Sequence, residues 1–264
     1  MQSAEVGACW EANAENWTKF SRAGYDVYRD ALNTPAFLDM LPSIAGLRGL
    51  DLGCGEGTNT RRLAECKARM TAIDIAPSFI RLAQEQEAED PRGIRYMLGD
   101  GRDLPFADGE FDFVTAFMSL MDMPDQRRVL QQVFRVLRGG GFFQFSILHP
   151  CFVPPRRKTI RDEKGDCRAV ELADYFDETD GRIETWLFST IPSEEREGVA
   201  PFRVPRFHRT LSTWMTMIVA SGFSLEEFRE PMASEEAARL YPAVADTRVV
   251  PIFLHIRLRK PLSR

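Results

Sequence analysis

A chain of 264 residues can bury one well-packed core, with room for an insertion rather than a second equal domain. Hydrophobic residues make up 44% and charged residues 28%, an ordinary globular balance, and no apolar run approaches the roughly 20 residues a bilayer span needs. The formal charge of -5 works against binding a phosphate backbone, the only basic concentration being Arg156, Arg157, Lys158 and Arg161.

Five scattered cysteines (Cys9, Cys54, Cys66, Cys151, Cys167), an odd number without a CxxC pair, read as reduced thiols rather than disulfides or structural zinc. Residues 1–5 show no basic segment leading into an apolar one, so the expected location is cytoplasmic.

In chain order, residues 10–45 carry aromatic and apolar residues three or four apart, from Trp10 through Trp17, Tyr25, Tyr28 and Phe37 to Ile44. This spacing predicts helices, broken at Pro35 and Pro42, that cap the first strand. From Leu47 the period changes. Short apolar runs near 48–52, 69–74, 93–98, 111–117 and 142–148 alternate with helical stretches near 58–67, 77–88 and 124–137. That alternation specifies an α/β domain with a parallel sheet and crossover helices. The helix after Pro124 places Val129, Leu130, Val133, Phe134 and Leu137 on one face and is expected to stop at a left-handed cap in Gly139-Gly140-Gly141. Residues 149–207 break the rhythm with six prolines and one strand-like stretch at 182–189, an insertion expected to hold a β-hairpin. A helix near 210–221 and strands at 223–229 and 249–258 resume it.

The first strand runs into Asp51-Leu52-Gly53-Cys54-Gly55-Glu56-Gly57, with a helix starting near Thr58, so glycines let a ligand approach the strand's carboxyl end. A dinucleotide fingerprint would need a third glycine where Thr58 stands, and Asp51 with Glu56 would place negative charge on a pyrophosphate. A cationic, phosphate-free ligand such as S-adenosylmethionine (SAM), with its ammonium and sulfonium, suits the loop better. The second strand ends at Ile73-Asp74, 17 residues past Gly57, where a carboxylate can accept both ribose hydroxyls. The third ends in Leu98-Gly99-Asp100-Gly101, where another can accept the adenine amino group.

The DLGCGEG loop, Asp74, Asp100, the LPFADGEFDFV stretch and the VLRGGGFF stretch resemble class I SAM-dependent methyltransferases, nearest the ubiquinone/menaquinone-type subgroup. The resemblance is strong over about 47–148 and weak beyond. It implies a Rossmann-like, seven-stranded, mostly parallel sheet with an antiparallel last strand and helices on both faces. The expected segments are an N-terminal helical cap at 1–46, a SAM-binding core at 47–148, a lid insertion after strand five at 149–207 and the end of the sheet at 208–264. By the resemblance, SAM is held by Asp51, Gly53, Cys54, Gly55, Gly57, Asp74, Ile75, Asp100, Gly101, Arg102, Phe117 and Met118. Many relatives carry a histidine pair after strand four, where this chain has Met121-Asp122.

The catalytic candidates are His149, His208 and Asp122. His149 at a strand end reads equally as a general base and as a residue merely ordered by Pro150, and His208 reads more simply as a surface or cap contact. Asp122 can anchor an acceptor hydroxyl or amine, although capping the helix after Pro124 is the simpler role. Trp17, Tyr25, Tyr28, Phe152 and Trp186 are candidates for the acceptor pocket, where some aromatic residues must instead hold the cap and insertion in place. The sequence therefore predicts a metal-independent, SAM-dependent transfer to oxygen or nitrogen of a small, partly apolar or aromatic metabolite, by a monomer or homodimer acting on neither membrane nor nucleic acid. The rival readings are a non-catalytic protein binding SAM or its product S-adenosylhomocysteine (SAH), and a methyltransferase of RNA or protein.

Overall fold

The architecture comes from a computed structural model that describes residues 1–262; residues 263 and 264, the end of the segment expected over 208–264, lie outside the described residues. The chain opens with helix α1 (Ser3–Arg22), a π-helical turn (Arg29–Asn33) and α2 (Thr34–Met40). Pro35 opens α2 rather than breaking a helix, because a missing N–H costs nothing in a first helical turn. The alternating region follows as β1 (Arg48–Leu52), α3 (Thr58–Glu65), β2 (Arg69–Asp74), α4 (Pro77–Glu89), β3 (Arg95–Leu98), β4 (Phe111–Phe117), α5 (Gln126–Val136) and β5 (Leu137–Leu148).

The insertion contains two antiparallel strand pairs rather than one: β6 (Arg156–Arg161) with β7 (Cys167–Ala173), and β8 (Arg182–Trp186) with β9 (Phe202–Arg206). The short α6 (Ser193–Arg196) joins the second pair. The basic run of the sequence is thus the strand β6. The chain ends with α7 (Leu211–Ala220), β10 (Ser224–Arg229), α8 (Glu235–Leu240) and β11 (Phe253–Arg259).

The main sheet has seven strands in the order β10-β11-β5-β4-β1-β2-β3. Only β11 is reversed, pairing antiparallel with both β5 and β10, as the family resemblance implied. Alternate residues of the central strands face opposite helical layers. Val114, Phe143 and Phe145 pack with Val129, Leu130 and Val133 of α5 and Trp214 and Ile218 of α7. Phe113 and Phe142 face the other way, toward Phe37, Leu63 and Ile80.

The glycine triplet does not cap α5. Leu137 is already extended, and Gly139–Gly141 belong to β5. Two close approaches explain them: Gly140 (φ +75°) donates its N–H to the Lys260 carbonyl, and a Cβ on Gly141 would lie 2.8 Å from the Asp112 carbonyl oxygen. Packing against the neighbouring backbone overrode the local stop signal.

Because β1 through β4 are parallel, their carboxyl ends share one edge, and the strand order reverses between β1 and β4, which opens a crevice there. Helix α1 and the insertion roof this edge. The Asn13 side-chain amide pairs with both backbone groups of Arg203 at 3.0 Å, and Trp17 packs against Phe188 and Phe202. Among the described residues no helix is long and apolar enough to cross a membrane.

Candidate active site

The crevice is a cavity of about 450 Å³ that runs from the β1–α3 loop to the aromatic underside of the roof. The three glycines of the loop do different jobs, although all have positive φ. A Cβ on Gly53 would lie 2.5 Å from the Ser119 side chain, and one on Gly57 would lie 2.5 Å from the Tyr96 hydroxyl, so both are required by packing. Gly55 alone faces open space, with nothing within 4 Å of where its Cβ would stand. Gly53 and Gly55 reach the cavity wall, whereas Gly57 lies behind it.

Asp74 ends β2 under this loop. One carboxylate oxygen accepts the Gly55 N–H at 2.8 Å and the other the Ala76 N–H at 2.9 Å, so the side chain clamps the loop while each oxygen keeps a lone pair for a ligand. Burial raises its pKa against the lowering effect of those donors. Asp51 is fully enclosed and accepts from Thr60 (2.6 Å) and Thr115 (2.8 Å), tying β1 to α3 and β4; burial pushes it up to about 6. Asp100 is engaged by Arg102, whose hydrogen bonds outweigh partial burial and hold the carboxyl below its usual range.

The wall brings together Asp51, Gly53, Cys54, Gly55, Asp74, Ile75, Asp100, Gly101, Phe117 and Met118 at one end and Trp17, Tyr25, Tyr28 and Trp186 at the other, with Asp122 also on it. Besides Gly57, four expected residues lie off the wall. Arg102 is drawn onto Asp100, and Phe152 packs on His149 with ring centroids 4.9 Å apart. His149 is buried, its Nε2 2.7 Å from Glu230 and its Nδ1 accepting the Cys151 N–H; His208 is buried against the Tyr175 carbonyl at 2.9 Å. Burial lowers the pKa of both imidazoles. The sequence position of each histidine is at the site's edge, but partners remote in the chain engage both rings and neither lines the cavity. Nor does Asp122 cap α5: that role belongs to Asp125, which accepts the Arg128 N–H.

Sequence reasoning missed Asp26, Arg29, Glu184 and Arg206, all on the wall. Asp26 accepts the Arg29 N–H at 3.2 Å and is pushed up to about 6 by burial. Arg29 bonds Asp30 and approaches Glu56, while Arg206 and Glu184 pair at 3.1 Å. Nothing local marks these residues; they meet only because the cap and β8–β9 fold over the same crevice.

The ionic character of the wall tests the fit of SAM. Its charged side chains are seven carboxylic acids (Asp26, Asp51, Glu56, Asp74, Asp100, Asp122, Glu184) and two arginines (Arg29, Arg206). A pyrophosphate would be repelled here, whereas a ligand carrying an ammonium and a sulfonium is attracted. The open space at Gly55 beside the Asp74 carboxylate supplies the close backbone approach such a ligand needs. Among the described residues no group of three or more His, Cys, Asp or Glu is arranged to hold a metal ion.

Comparison with known proteins agrees with this geometry. Residues 50–145 match the methyltransferase domain family. The malonyl-[acyl-carrier protein] O-methyltransferase of Pectobacterium atrosepticum is 31% identical over 144 residues, covering 51% of this chain and 55% of that protein. The 27-O-demethylrifamycin SV methyltransferase of Amycolatopsis mediterranei is 38% identical over 150 residues, covering 54% and 55%. The chain spans about half the length of these curated relatives. An S-adenosylmethionine-dependent methyltransferase from Mesorhizobium loti superposes with a TM-score of 0.68 and 28% identity over 85% of this chain and 96% of that one. Glycine loop, acidic strand ends, sheet order and these likenesses together make residues 50–145 a methyltransferase domain of the SAM-dependent, class I kind.

Proposed function

We propose that this protein transfers the methyl group of SAM to an oxygen or nitrogen of a small, partly apolar or aromatic metabolite. The observation that carries the reading is the continuity of one cavity: the glycine loop and acidic strand ends form one end, and Trp17, Tyr28, Trp186 and Phe188 line the other. Bound SAM would supply an electrophilic methyl on sulfur. Asp74 and the Gly55 backbone would hold it, Asp100 would meet the adenine, and Phe117 and Met118 would support the methionine portion. The roof excludes water and fixes the acceptor in line, which is most of what such a transfer asks of a protein. The names of the O-methyltransferase relatives favour oxygen over nitrogen.

The test is incubation with methyl-labelled SAM and two fractions of a cell extract, one of small metabolites and one of macromolecules. Label should move into the small-molecule fraction. Label in RNA or protein would overturn the acceptor class, and tight SAM binding without transfer to either fraction would favour a non-catalytic SAM-binding protein.

A further inference from the structure

Six of the seven acids on the cavity wall are already engaged. Asp26 accepts the Arg29 N–H, Asp51 two threonine hydroxyls and Asp74 two backbone amides. Asp100 is held by Arg102, Glu56 by Thr58 and two arginines, and Glu184 by Arg206. Asp122 is the exception. It is only 5% exposed, lines the cavity, and among the described residues forms no side-chain hydrogen bond or ion pair; only the charges of Arg206 and Glu184 act on it. Its oxygens open onto the cavity rather than onto protein donors, so an occupant of the cavity is what can donate to them.

Its position is equally specific. The turn Leu120–Asp122 follows β4 and is pinned from both sides: the Ser119 hydroxyl donates to the Leu52 carbonyl beside the glycine loop (2.6 Å), and the Phe207 N–H donates to the Met121 carbonyl (2.9 Å). Asp122 therefore stands between the cofactor end and the roof. On β8, Glu184 and Trp186 are two residues apart and share a strand face, so the aromatic wall begins roughly 7 Å along the strand from the Glu184–Arg206 pair.

We propose that Asp122 is the catalytic proton acceptor of this site and that the methyl acceptor is a small hydroxyarene. Its ring lies along Trp17, Trp186 and Phe188 and its hydroxyl donates to the Asp122 carboxylate. The proposal rests on the methyltransferase reading above. The charges select a hydroxyl over its competitors. A carboxylate acceptor would be repelled by Glu184 and by ionised Asp122, while a protonated amine, though attracted by these acids, has no lone pair to attack with. In the transfer, a lone pair of the hydroxyl oxygen forms the new C–O bond as the C–S bond breaks, its electrons staying on sulfur. The hydroxyl proton passes to an Asp122 oxygen and from there to solvent after the ether leaves. Burial holds the Asp122 carboxyl well above the usual carboxylate range, against the lowering by Arg206, which makes it a stronger base than an exposed aspartate.

The binding test uses SAH-loaded protein with 1-naphthol, catechol and phenol against their methyl ethers, followed by calorimetry. Wild type should bind at least one hydroxyarene tenfold or more tighter than its ether, and Asp122→Ala should abolish that preference while leaving ether binding unchanged. With labelled SAM, Asp122→Asn should lose at least 100-fold in kcat on the bound hydroxyarene, lose the rising acid limb of the pH profile, and keep its SAM Kd within twofold. Equal wild-type binding of hydroxyarenes and ethers, turnover by Asp122→Asn within threefold of wild type, or SAM binding with no hydroxyarene bound would each overturn the proposal. The first and last of these need no variant to fold. Failure of the wild type to bind SAM would instead defeat the methyltransferase reading itself, and the proposal with it.

Discussion

Replacing Asp74 by alanine should weaken SAM binding and also loosen the fold, and the two effects can be measured apart. The carboxylate accepts two backbone N–H groups, at 2.8 Å from Gly55 and 2.9 Å from Ala76. Hydrogen bonds to a charged group are worth about 1.5–3 kcal/mol each, but water will partly resolvate Gly55 once the side chain is gone, so the expected stability loss is about 2–4 kcal/mol. That is survivable for a domain with the usual 5–15 kcal/mol of roughly defined total stability. The ribose hydroxyls lose a charged acceptor as well, which should weaken SAM by about 1–3 kcal/mol, roughly 5- to 150-fold in Kd. Because burial raises the Asp74 pKa, the comparison belongs on the alkaline side of neutrality, which favours the ionised carboxylate in the wild type. Calorimetry reads the affinity and urea denaturation the stability. A folded variant with unchanged SAM affinity would remove Asp74 from the site, and an unchanged urea midpoint would refute the loop clamp.

Gly55→Val should abolish SAM binding in a folded protein, since its side chain would fill the open space the cofactor needs and φ +55° suits no branched residue; normal SAM affinity in that variant would sink the loop assignment. His255, buried with Nε2 2.7 Å from Asn33, is pushed down to about 3 by burial, so between pH 6.5 and 3 the unfolded chain binds the extra proton and stability falls as pH falls, by up to about 1.4 kcal/mol per pH unit. His255→Gln should flatten that slope, and parallel urea midpoints for both proteins at pH 7.5 and 5.5 would contradict it. Asp26 and Asp51, both near 6, should be driven to ionise by a cation in the cavity, so SAM binding at pH 6 should release protons, and binding at pH 8 almost none. Calorimetry in buffers of different ionisation heat measures this, and uptake or no exchange at pH 6 would count against cation seating beside these acids.

The cofactor half of the site was legible because its signals are local. Strand period, a glycine turn and an acid at each of three strand ends all fall within one βαβ rhythm, and the strands ended where their periodicity stopped, at Leu52, Asp74, Leu98 and Phe117. In the acceptor half the aromatic residues Trp17, Tyr25, Tyr28 and Trp186 were legible, but its charged residues were not, because they are assembled from distant segments. Arg206 and Glu184 come from the insertion, and Asp26 and Arg29 from the cap. The histidines show the complementary error. Each stands near a strand end, as a base should, yet ring direction was decided by Glu230 and by the Tyr175 carbonyl, partners 81 and 33 residues away. The glycine triplet after α5 misled for the same reason, since the Asp112 and Lys260 backbones, remote in sequence, decide its conformation.

What joins the two halves is the five-residue stretch 118–122. Met118 holds a left-handed φ of +50°, a conformation that costs a non-glycine residue about 1 kcal/mol or more and persists only where the surroundings impose it. Here they do. The Met118 N–H is shared by the carbonyl and hydroxyl of Ser146 on β5, both at 3.1 Å. Ser119 is tied to β1 through Leu52, and Met121 to the segment just after β9 through Phe207. One short turn is thus hydrogen-bonded to the strand that carries the glycine loop, to the central sheet and to the roof. A side chain mounted on it inherits a fixed distance from both ends of the cavity without depending on any flexible loop. For a reaction that asks chiefly for alignment, where an error of about 1 Å can cost two orders of magnitude in rate, that anchoring is the main thing the fold provides. The same backbone bonds hold the turn without help from the Asp122 side chain, which stays on the cavity wall.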